Sequence, residues 1–395
     1  MKFTTMRRMD NWAGPFILLT LGAVERVRGI IWRRRPDFVP AKVRRVLVMK
    51  FIGLGSIAEA LPMLRAMRRY YPNAEISFLT FEWCEGLVRL LGFDSVRVIR
   101  TSSFSRFTID SISAIRWGWR NRFDVSHDLE FFSRFSSIMS YLIHAPVRVG
   151  YFIRELRNNN LLTDPVPYNP ARHVVEAFLA QINMDDRMLR PEDSVSPDLP
   201  PEADSAADDL LRKSGLWGAP LLVSVNVNTG EKSEFRMWSL AYHSVLATKL
   251  HISHRAAIAF VGTVSDRERV EEVLGTLPKG VRAANLAGLT RVDILLSILK
   301  KSRLLVSNDS GPLHLASMMG TPTVGFFGAE SARVFGPRAP TSINIDKQLY
   351  CSPCLNVYNF KDYACPYGMK CMKDITPEEA LEAVGKLLGK PVEQS

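Results

Sequence analysis

Leu304–Gly328 reads LLVSNDSGPLHLASMMGTPTVGFFG. An aliphatic run ends at Asn308, a glycine-bearing turn follows, and a second apolar run, Thr323–Phe327, closes the segment. Between the runs Gly311–Met319 carries a helical pattern, so the stretch predicts a strand–helix–strand crossover of a parallel sheet. Asp309 or Ser310 is a natural N-cap, and Gly311 lets the backbone come close to a ligand. A helix that opens there offers amide donors and a positive dipole end, a ready site for a diphosphate. His314 lies three residues past Gly311, in the first turn, and can face the same anion. Gly325 and Gly328 reach the same edge on the next strand. A glycine-containing turn with a buried structural histidine meets the same spacing.

The alternation extends both ways. Upstream of the quoted segment, Pro220–Val227 and Ala256–Gly262 read as strands. Helices are expected near Leu240–Leu250, Asp266–Leu274 and Val292–Lys300. Thr376, Pro377 and Glu379 form a capping box at the start of a last helix. Nearer the start, Val43–Lys50, Ala74–Leu79, Val96–Ile99 and Phe123–Asp128 read as strands. Ile57–Tyr71, Glu85–Leu91 and Phe132–Ile143 read as helices between them. Arg190–Ala203, with four prolines, reads as a linker. The expectation is an α/β protein of two Rossmann-like, doubly wound domains, residues 43–195 and 196–375, with residues 376–395 as a terminal helix. Ligands in such sheets bind beyond the carboxyl ends of the strands.

At 395 residues, 47% hydrophobic and 23% charged, the chain is neither disordered nor a small disulfide-stapled scaffold. Its net charge of +11 is concentrated at one end. Residues 1–45 hold eleven Lys/Arg against Asp10, Glu25 and Asp37, which leaves the remaining body close to neutral. A nucleic-acid binder more often spreads charge over a face. Here the charge flanks an apolar stretch, Trp12–Val24, too short to span a bilayer. Residues 15–32 read as an interfacial helix of a membrane-seeking arm, residues 1–42, with Arg33–Arg35 at anionic headgroups. A signal peptide, or a helix packed on the protein's own body, are the alternatives. Five cysteines, an odd number with Cys84 far from the rest, do not suit a secreted disulfide framework. The chain is therefore expected in the cytoplasm, attached to the inner face of the cytoplasmic membrane. Cys351, Cys354, Cys365 and Cys371 crowd residues 351–371. The first pair has metal-knuckle spacing and the second does not, so zinc or an iron–sulfur cluster stands beside reduced thiols or a facultative disulfide.

The Asn308 segment resembles glycosyltransferase family 9, the heptosyltransferase-like enzymes, whose hallmark is N-D-[ST]-G-x-x-H followed by G-x-P-x-x-x-x-F-G. Asn308, Asp309, Ser310, Gly311, His314, Gly320, Pro322, Phe327 and Gly328 match it. Val43–Pro62, Phe123–Glu130 (FDVSHDLE), Val147–Tyr151 (VRVGY), Arg236–Trp238 and Asn285–Gly288 (NLAG) fall in the family's order. The cysteine segment is similar too. The resemblance implies the GT-B arrangement, with a nucleoside-diphosphate sugar in the C-terminal domain and a lipid-linked glycan acceptor in the N-terminal one. It implies inverting transfer of a heptose or similar sugar in lipopolysaccharide-type synthesis, with ADP-heptose as donor and no separate cofactor. No Asp-x-Asp occurs in the sequence, so helix ends and basic side chains are expected to stabilise the leaving group.

Inversion needs a base for the acceptor hydroxyl. The family usually has Asp after the second glycine of its first loop; here Gly53 and Gly55 are followed by Ser56, which is no base near neutral pH. Glu59, one turn further, and Glu130, after the strand ending at Asp128, are the candidates. Each also suits an ordinary role, as a solvated helix residue or a loop acid. Donor-site candidates are Thr229, Gly230, Lys232, Arg236, Gly262 and Asp266, beside Asn308, Asp309, Ser310, Gly311, His314 and Gly328. Two other functions remain: a non-catalytic sugar-nucleotide or glycan binder, and a dinucleotide-dependent oxidoreductase suggested by Gly53-x-Gly55-x-x-Ala58.

Overall fold

The computed structural model describes residues 3–31, 38–131, 133–153, 161–229, 234–356 and 365–389. The chain divides into two compact units. Met1–Gly53 and Ala60–Ser194 form one; Leu54–Glu59 and Val195–Ser395 form the other.

The N-terminal unit is built on β1 (Arg45–Met49), β2 (Glu75–Phe81), β3 (Ser95–Ile99), β4 (Val125–Asp128), β5 (Val147–Phe152) and β6 (Asp164–Pro167). Their order is β3-β2-β1-β4-β5-β6, and all neighbours run parallel. Helices α3 (Leu54–Tyr70), α4 (Glu82–Leu90), α5 (Phe104–Asn121) and α6 (Arg134–Ile143) follow the first four strands. The central strand is apolar without alternation because both its faces are covered; Val46 through Met49 are fully buried. Leu47, Met49, Phe51, Leu79, Phe81 and Phe123 belong to one core. The sheet reverses direction of growth between β1 and β4, so the loops after these two strands meet.

The second sheet repeats the plan. It contains β7 (Leu221–Asn226), β8 (Ala256–Phe260), β9 (Ala283–Asn285), β10 (Leu304–Asn308), β11 (Thr323–Phe327) and β12 (Ser342–Asp346). The order is β12-β11-β10-β7-β8-β9, again parallel, with the reversal between β7 and β10. Trp238 anchors its core: the indole is buried, donates to Ile375 O at 2.8 Å and lies 4.3 Å from the Phe326 ring. The last helix, Pro377–Leu388, has the expected capping box between Thr376 and Glu379.

Three segments depart from the sequence reading. The arm is two helices, α1 (Phe3–Trp12) and α2 (Gly14–Ile31), which lie on α6. Gly14, Leu18, Leu21, Gly22 and Glu25 form the inward, buried or half-buried side of α2, at helical spacing. A Cβ at Gly14 would stand 2.8 Å from Arg134 Cδ. Glu25 accepts from the buried Arg148 at 3.0 Å and from Tyr141 at 3.2 Å. Asp10 accepts the Arg134 and Phe135 amides at 3.1 and 2.7 Å, a carboxylate placed on the first turn of α6. Arg33–Arg35 lie outside the described residues. The segment Arg190–Ala203 is not a loose linker: it carries a 3-10 turn at Pro191–Ser194 whose buried Asp193 pairs with Arg69, and Pro201 opens a helix, Pro201–Lys213. The helix expected from Phe132 begins at Arg134, with Ser133 as its cap; Phe132 lies outside the described residues.

Candidate functional site

The loops after β7 and β10 meet at the reversal point of the second sheet. Asn308 ends β10 fully buried, and its Oδ1 accepts the Trp238 amide at 2.8 Å. Asp309 follows, held by its amide to Phe326 O at 3.1 Å. Its carboxylate accepts from Arg236 Nη1 at 2.7 Å, and Arg236 Nη2 donates to Thr229 O at 3.3 Å. Burial alone would raise the Asp309 carboxyl, but Arg236 and His314 overcome it and hold it down at about 2. Ser310 is the N-cap residue of the helix Gly311–Met318, although its hydroxyl does not cap the helix; it accepts from Asn226 Nδ2 at 2.6 Å instead. Pro312 has no amide hydrogen and the Leu313 amide bonds Ser310 O. The amide-rich helix start expected from sequence is therefore narrowed to Ser310 and Gly311, and side-chain cations carry more of the task.

His314 is almost enclosed, with Nε2 3.6 Å from Asp309 Oδ1 and Nδ1 3.4 Å from Glu59 Oε1. Glu59 belongs to the first part of α3, Leu54–Glu59, which groups with the C-terminal unit. Burial pushes the imidazole pKa down, but the Glu59 and Asp309 carboxylates outweigh it and the net shift is upward. Gly55 is the reason the approach is possible: a Cβ there would lie 2.8 Å from His314 Cδ2 and 3.1 Å from Gly311 Cα. Ser56, in the same turn, is half-buried. Arg236, Asp309, His314, Thr229 and Glu59 are thus brought together.

Other candidates go elsewhere. Gly230 and Lys232 lie outside the described residues. Asp266 is buried in a capping box, its Oδ2 accepting the Thr263 amide at 2.7 Å while Oδ1 takes the Asn228 amide group. Gly262 makes room for that carboxylate, since a Cβ would stand 2.6 Å from Asp266 Oδ2. Gly328 faces Cys371 and Met372, with a Cβ only 2.8 and 2.6 Å from their sulfurs. All five cysteines are free thiols. Burial and the neighbouring thiols push Cys371 up to about 11. Among the described residues no three His, Cys, Asp or Glu side chains are grouped as a metal ion requires. The sequence reading missed Asn226 and Asn228. Asn226 ties Ser307 and Ser310 together, and Asn228 accepts from Arg269 at 2.9 Å. Their alternation at the end of β7, Asn-Val-Asn, was the available signal: one sheet face ending in amides.

In the N-terminal unit Glu130 is not a free base. Its Oε1 accepts the Phe51 and Ile52 amides at 2.7 and 2.9 Å, and Oε2 lies 3.1 Å from Lys50 Nζ. Lys50 also donates to Ile52 O at 3.0 Å. The pair clamps the loop after β1, delivering Gly53, which adopts φ 90°, to the start of α3.

The sequence profile of "Glycosyltransferase family 9 (heptosyltransferase)" matches residues 120–363. The chain belongs to this family. It is therefore an enzyme that transfers sugars, and its two doubly wound sheets are of the GT-B class. The "Lipooligosaccharide heptosyltransferase 2" of Haemophilus influenzae is 23% identical over 87% of this chain and 99% of its own length. Its namesake in Campylobacter jejuni subsp. jejuni serotype O:6 is 27% identical over 38% of this chain; that match spans about half, 47%, of the relative. In fold, the chain is similar to the Escherichia coli "ADP-heptose lps heptosyltransferase II", with a TM-score of 0.67 and 20% identity over 87% of this chain and 98% of that one. Family membership removes the oxidoreductase alternative, and the geometry agrees: Gly55 closes on His314 and Gly311, leaving no room at that glycine for a pyrophosphate.

Proposed function

We propose that this chain transfers a heptose, with inversion, from ADP-heptose to a lipopolysaccharide-core acceptor. The observation that carries the reading is the Arg236–Asp309–His314 constellation at the reversal point of the second sheet, in a family 9 chain. Arg236 and the His314 imidazolium supply cationic donors, and Ser310 and Gly311 supply backbone amides, where the diphosphate's charge increases as the sugar leaves. Asp309 keeps both cations fixed in place, so little reorganisation is needed during reaction. Thr229 and Asn308 back this group. Calorimetry with ADP, then ADP release from ADP-heptose in the presence of heptose-deficient lipopolysaccharide, tests the reading. Protein that neither binds ADP nor releases it from the sugar nucleotide contradicts it.

The acceptor is bound to lipid, and the arm supports a membrane-bound enzyme acting at the inner leaflet. Opposite its packed side α2 exposes Phe16, Leu19 and Val27 at helical spacing, and Trp12 at the end of α1 is exposed too, all four more than half accessible. The adjoining sequence is strongly basic. Apolar stripe and positive charge together fit an anionic bilayer surface. Among the described residues no helix is long and apolar enough to cross a membrane. Replacing Trp12, Phe16 and Leu19 by serine should abolish pelleting with phosphatidylglycerol vesicles at unchanged melting temperature; undiminished pelleting contradicts the role.

A further inference from the structure

We infer that α5 is a second membrane-seating helix of this chain: Ile109, Ile112 and Trp119 enter the interface of an anionic bilayer while Arg106, Arg116 and Arg120 meet its lipid phosphates. The inference deepens the membrane reading of the arm and rests on that reading for its partner.

The sequence of α5 gives it two apolar sides. Phe107, Ser111, Ala114 and Gly118 recur at helical spacing and face the protein. A Cβ on Gly118 would stand 2.6 Å from Ile143 Cγ2, so this side is packed closely on α6. The outward side recurs at the same spacing, as Ser105, Ile109, Ile112, Arg116 and Trp119, with Arg120 beside it. Ile109, Ile112 and Trp119 are 58%, 45% and 58% accessible, and Phe104 at the helix start is 59% accessible. A helix that only covers a sheet carries polar residues on this side. Single exposed apolar residues are ordinary, whereas an aligned set marks a contact surface.

Charge selects the partner. Arg106, Arg116, Arg120 and the C-cap residue Arg122 are exposed. The helix has a single acid, Asp110, which is buried and accepts from Arg100 through its amide at 3.0 Å and its Nε at 2.8 Å. The solvent side of α5 is therefore apolar and cationic at once, the combination that suits anionic headgroups over hydrocarbon. Arginine stems lying beside isoleucines stay in the apolar layer while the guanidinium groups rise to the phosphates. Trp119 is already oriented: its Nε1 donates to Leu142 O at 2.7 Å. Its ring edges a groove of about 640 Å³ between the ends of α5 and α6, lined also by Arg122, Tyr141 and His144.

The position of α5 joins it to the arm. Both α2 and α5 pack on α6, and Met6 of α1 lies on the same core as Phe107 and Phe135. Tyr141, in the groove beside Trp119, also donates to Glu25 of α2. Arm and α5 thus share one face of the first sheet. The arm by itself gives a line of attachment about which the N-terminal unit can roll. A second apolar and basic helix on the same face removes that freedom.

The test uses the full chain and sedimentation with phosphatidylcholine vesicles carrying increasing phosphatidylglycerol. I109S/I112S should weaken binding to phosphatidylglycerol-rich vesicles at least about tenfold at unchanged melting temperature, because it removes only exposed apolar surface. R116E/R120E leaves the apolar residues in place; at roughly fivefold per basic residue near an anionic leaflet, it should weaken binding at least about 25-fold. That second loss should shrink as salt is raised, while the first should not. I109S/I112S within about threefold of wild-type affinity overturns the inference. So does a dimeric wild type whose I109S/I112S form is monomeric with unaltered vesicle binding, since a second copy then covers α5. Loss of pelleting on replacing Trp12, Phe16 and Leu19, with I109S/I112S binding as wild type, leaves the arm reading standing and removes this one. The opposite pattern removes the arm reading and keeps α5 as the membrane contact. Wild-type protein that pellets with no vesicle overturns both.

Discussion

Replacing Glu130 by glutamine separates the clamp described here from a catalytic role. The carboxylate and Lys50 are both about 96–97% enclosed at the side chain and 3.1 Å apart, and the same carboxylate holds the Phe51 and Ile52 amides. Glutamine keeps an acceptor for those amides but turns its NH2 toward the Lys50 ammonium, donor against donor. Breaking a buried ion pair from one side costs about 3–5 kcal/mol. The retained acceptor puts E130Q at the lower end, near 3 kcal/mol, equivalent to about two decades in an opening equilibrium. Amide hydrogen exchange should therefore quicken about a hundredfold at Phe51 and Ile52, with a parallel fall in the urea midpoint of the N-terminal unit. K50M/E130Q should regain part of the loss, since no charge is then left buried without a partner. Turnover should fall only as far as the Gly53 loop is disordered, with KM for the acceptor rising first. Unchanged exchange at Phe51 and Ile52 together with a collapse of kcat would refute the clamp and make Glu130 the base.

Two other expectations concern packing and proton linkage. Gly55→Ala drives a methyl into His314 and the Gly311 backbone; ADP affinity measured by calorimetry should drop at least about tenfold, and an unaltered isotherm would deny the close approach. Buried His127 and His243 have pKa values pushed by burial from the usual 6.5 down to about 4. Their unfolded forms take up protons between those values while the folded forms do not, so stability should fall as pH drops from about 6.5 to 4, by up to about 3 kcal/mol for each. His314 has the opposite sign: raised in the folded state, its contribution is present below the ordinary imidazole value and is lost as pH rises through its folded pKa. Urea midpoints across this range, with His243→Gln expected to flatten the slope, check the assignment.

Strands β1–β4, β7, β8, β10 and β11 were legible because parallel strands buried on two faces are continuous aliphatic runs: β10 and β11 have the bounds the letters suggest. β5, β6, β9 and β12 were not read as strands. β5 carries Arg148 and Gly150 within its run, β6 has two prolines in four residues, and β9 and β12 are only half-buried and carry little apolar signal. Helix α5 was missed although its N-cap, Ser103, accepts the Arg106 amide at 3.2 Å; aromatics and serines obscure its periodicity. In the site, Asn308–His314 was readable because one turn sets its spacing. Glu130 and Asp193 were not, since their meaning lies in partners 79 and 124 residues away. Local spacing likewise made Asp266 a ligand candidate, where the fold uses it to cap its own helix turn.

The arm is fastened twice, at Asp10 and at Glu25. Asp10 holds α1 and Glu25 holds α2, on either side of the turn at Ala13, and the eleven positions from Gly14 to Glu25 rise roughly 16 Å. A leash tied at one point swings freely; a rail bolted at both ends does not. The exposed Trp12, Phe16 and Leu19 are thus carried by helices anchored to the sheet that carries the Gly53 loop. An enzyme mounted in this way would meet a flat surface on one side only, and would work on glycans standing at one distance from it. Shortening the outer sugar chain should then change its rate more sharply than the chemistry of a single added unit would suggest.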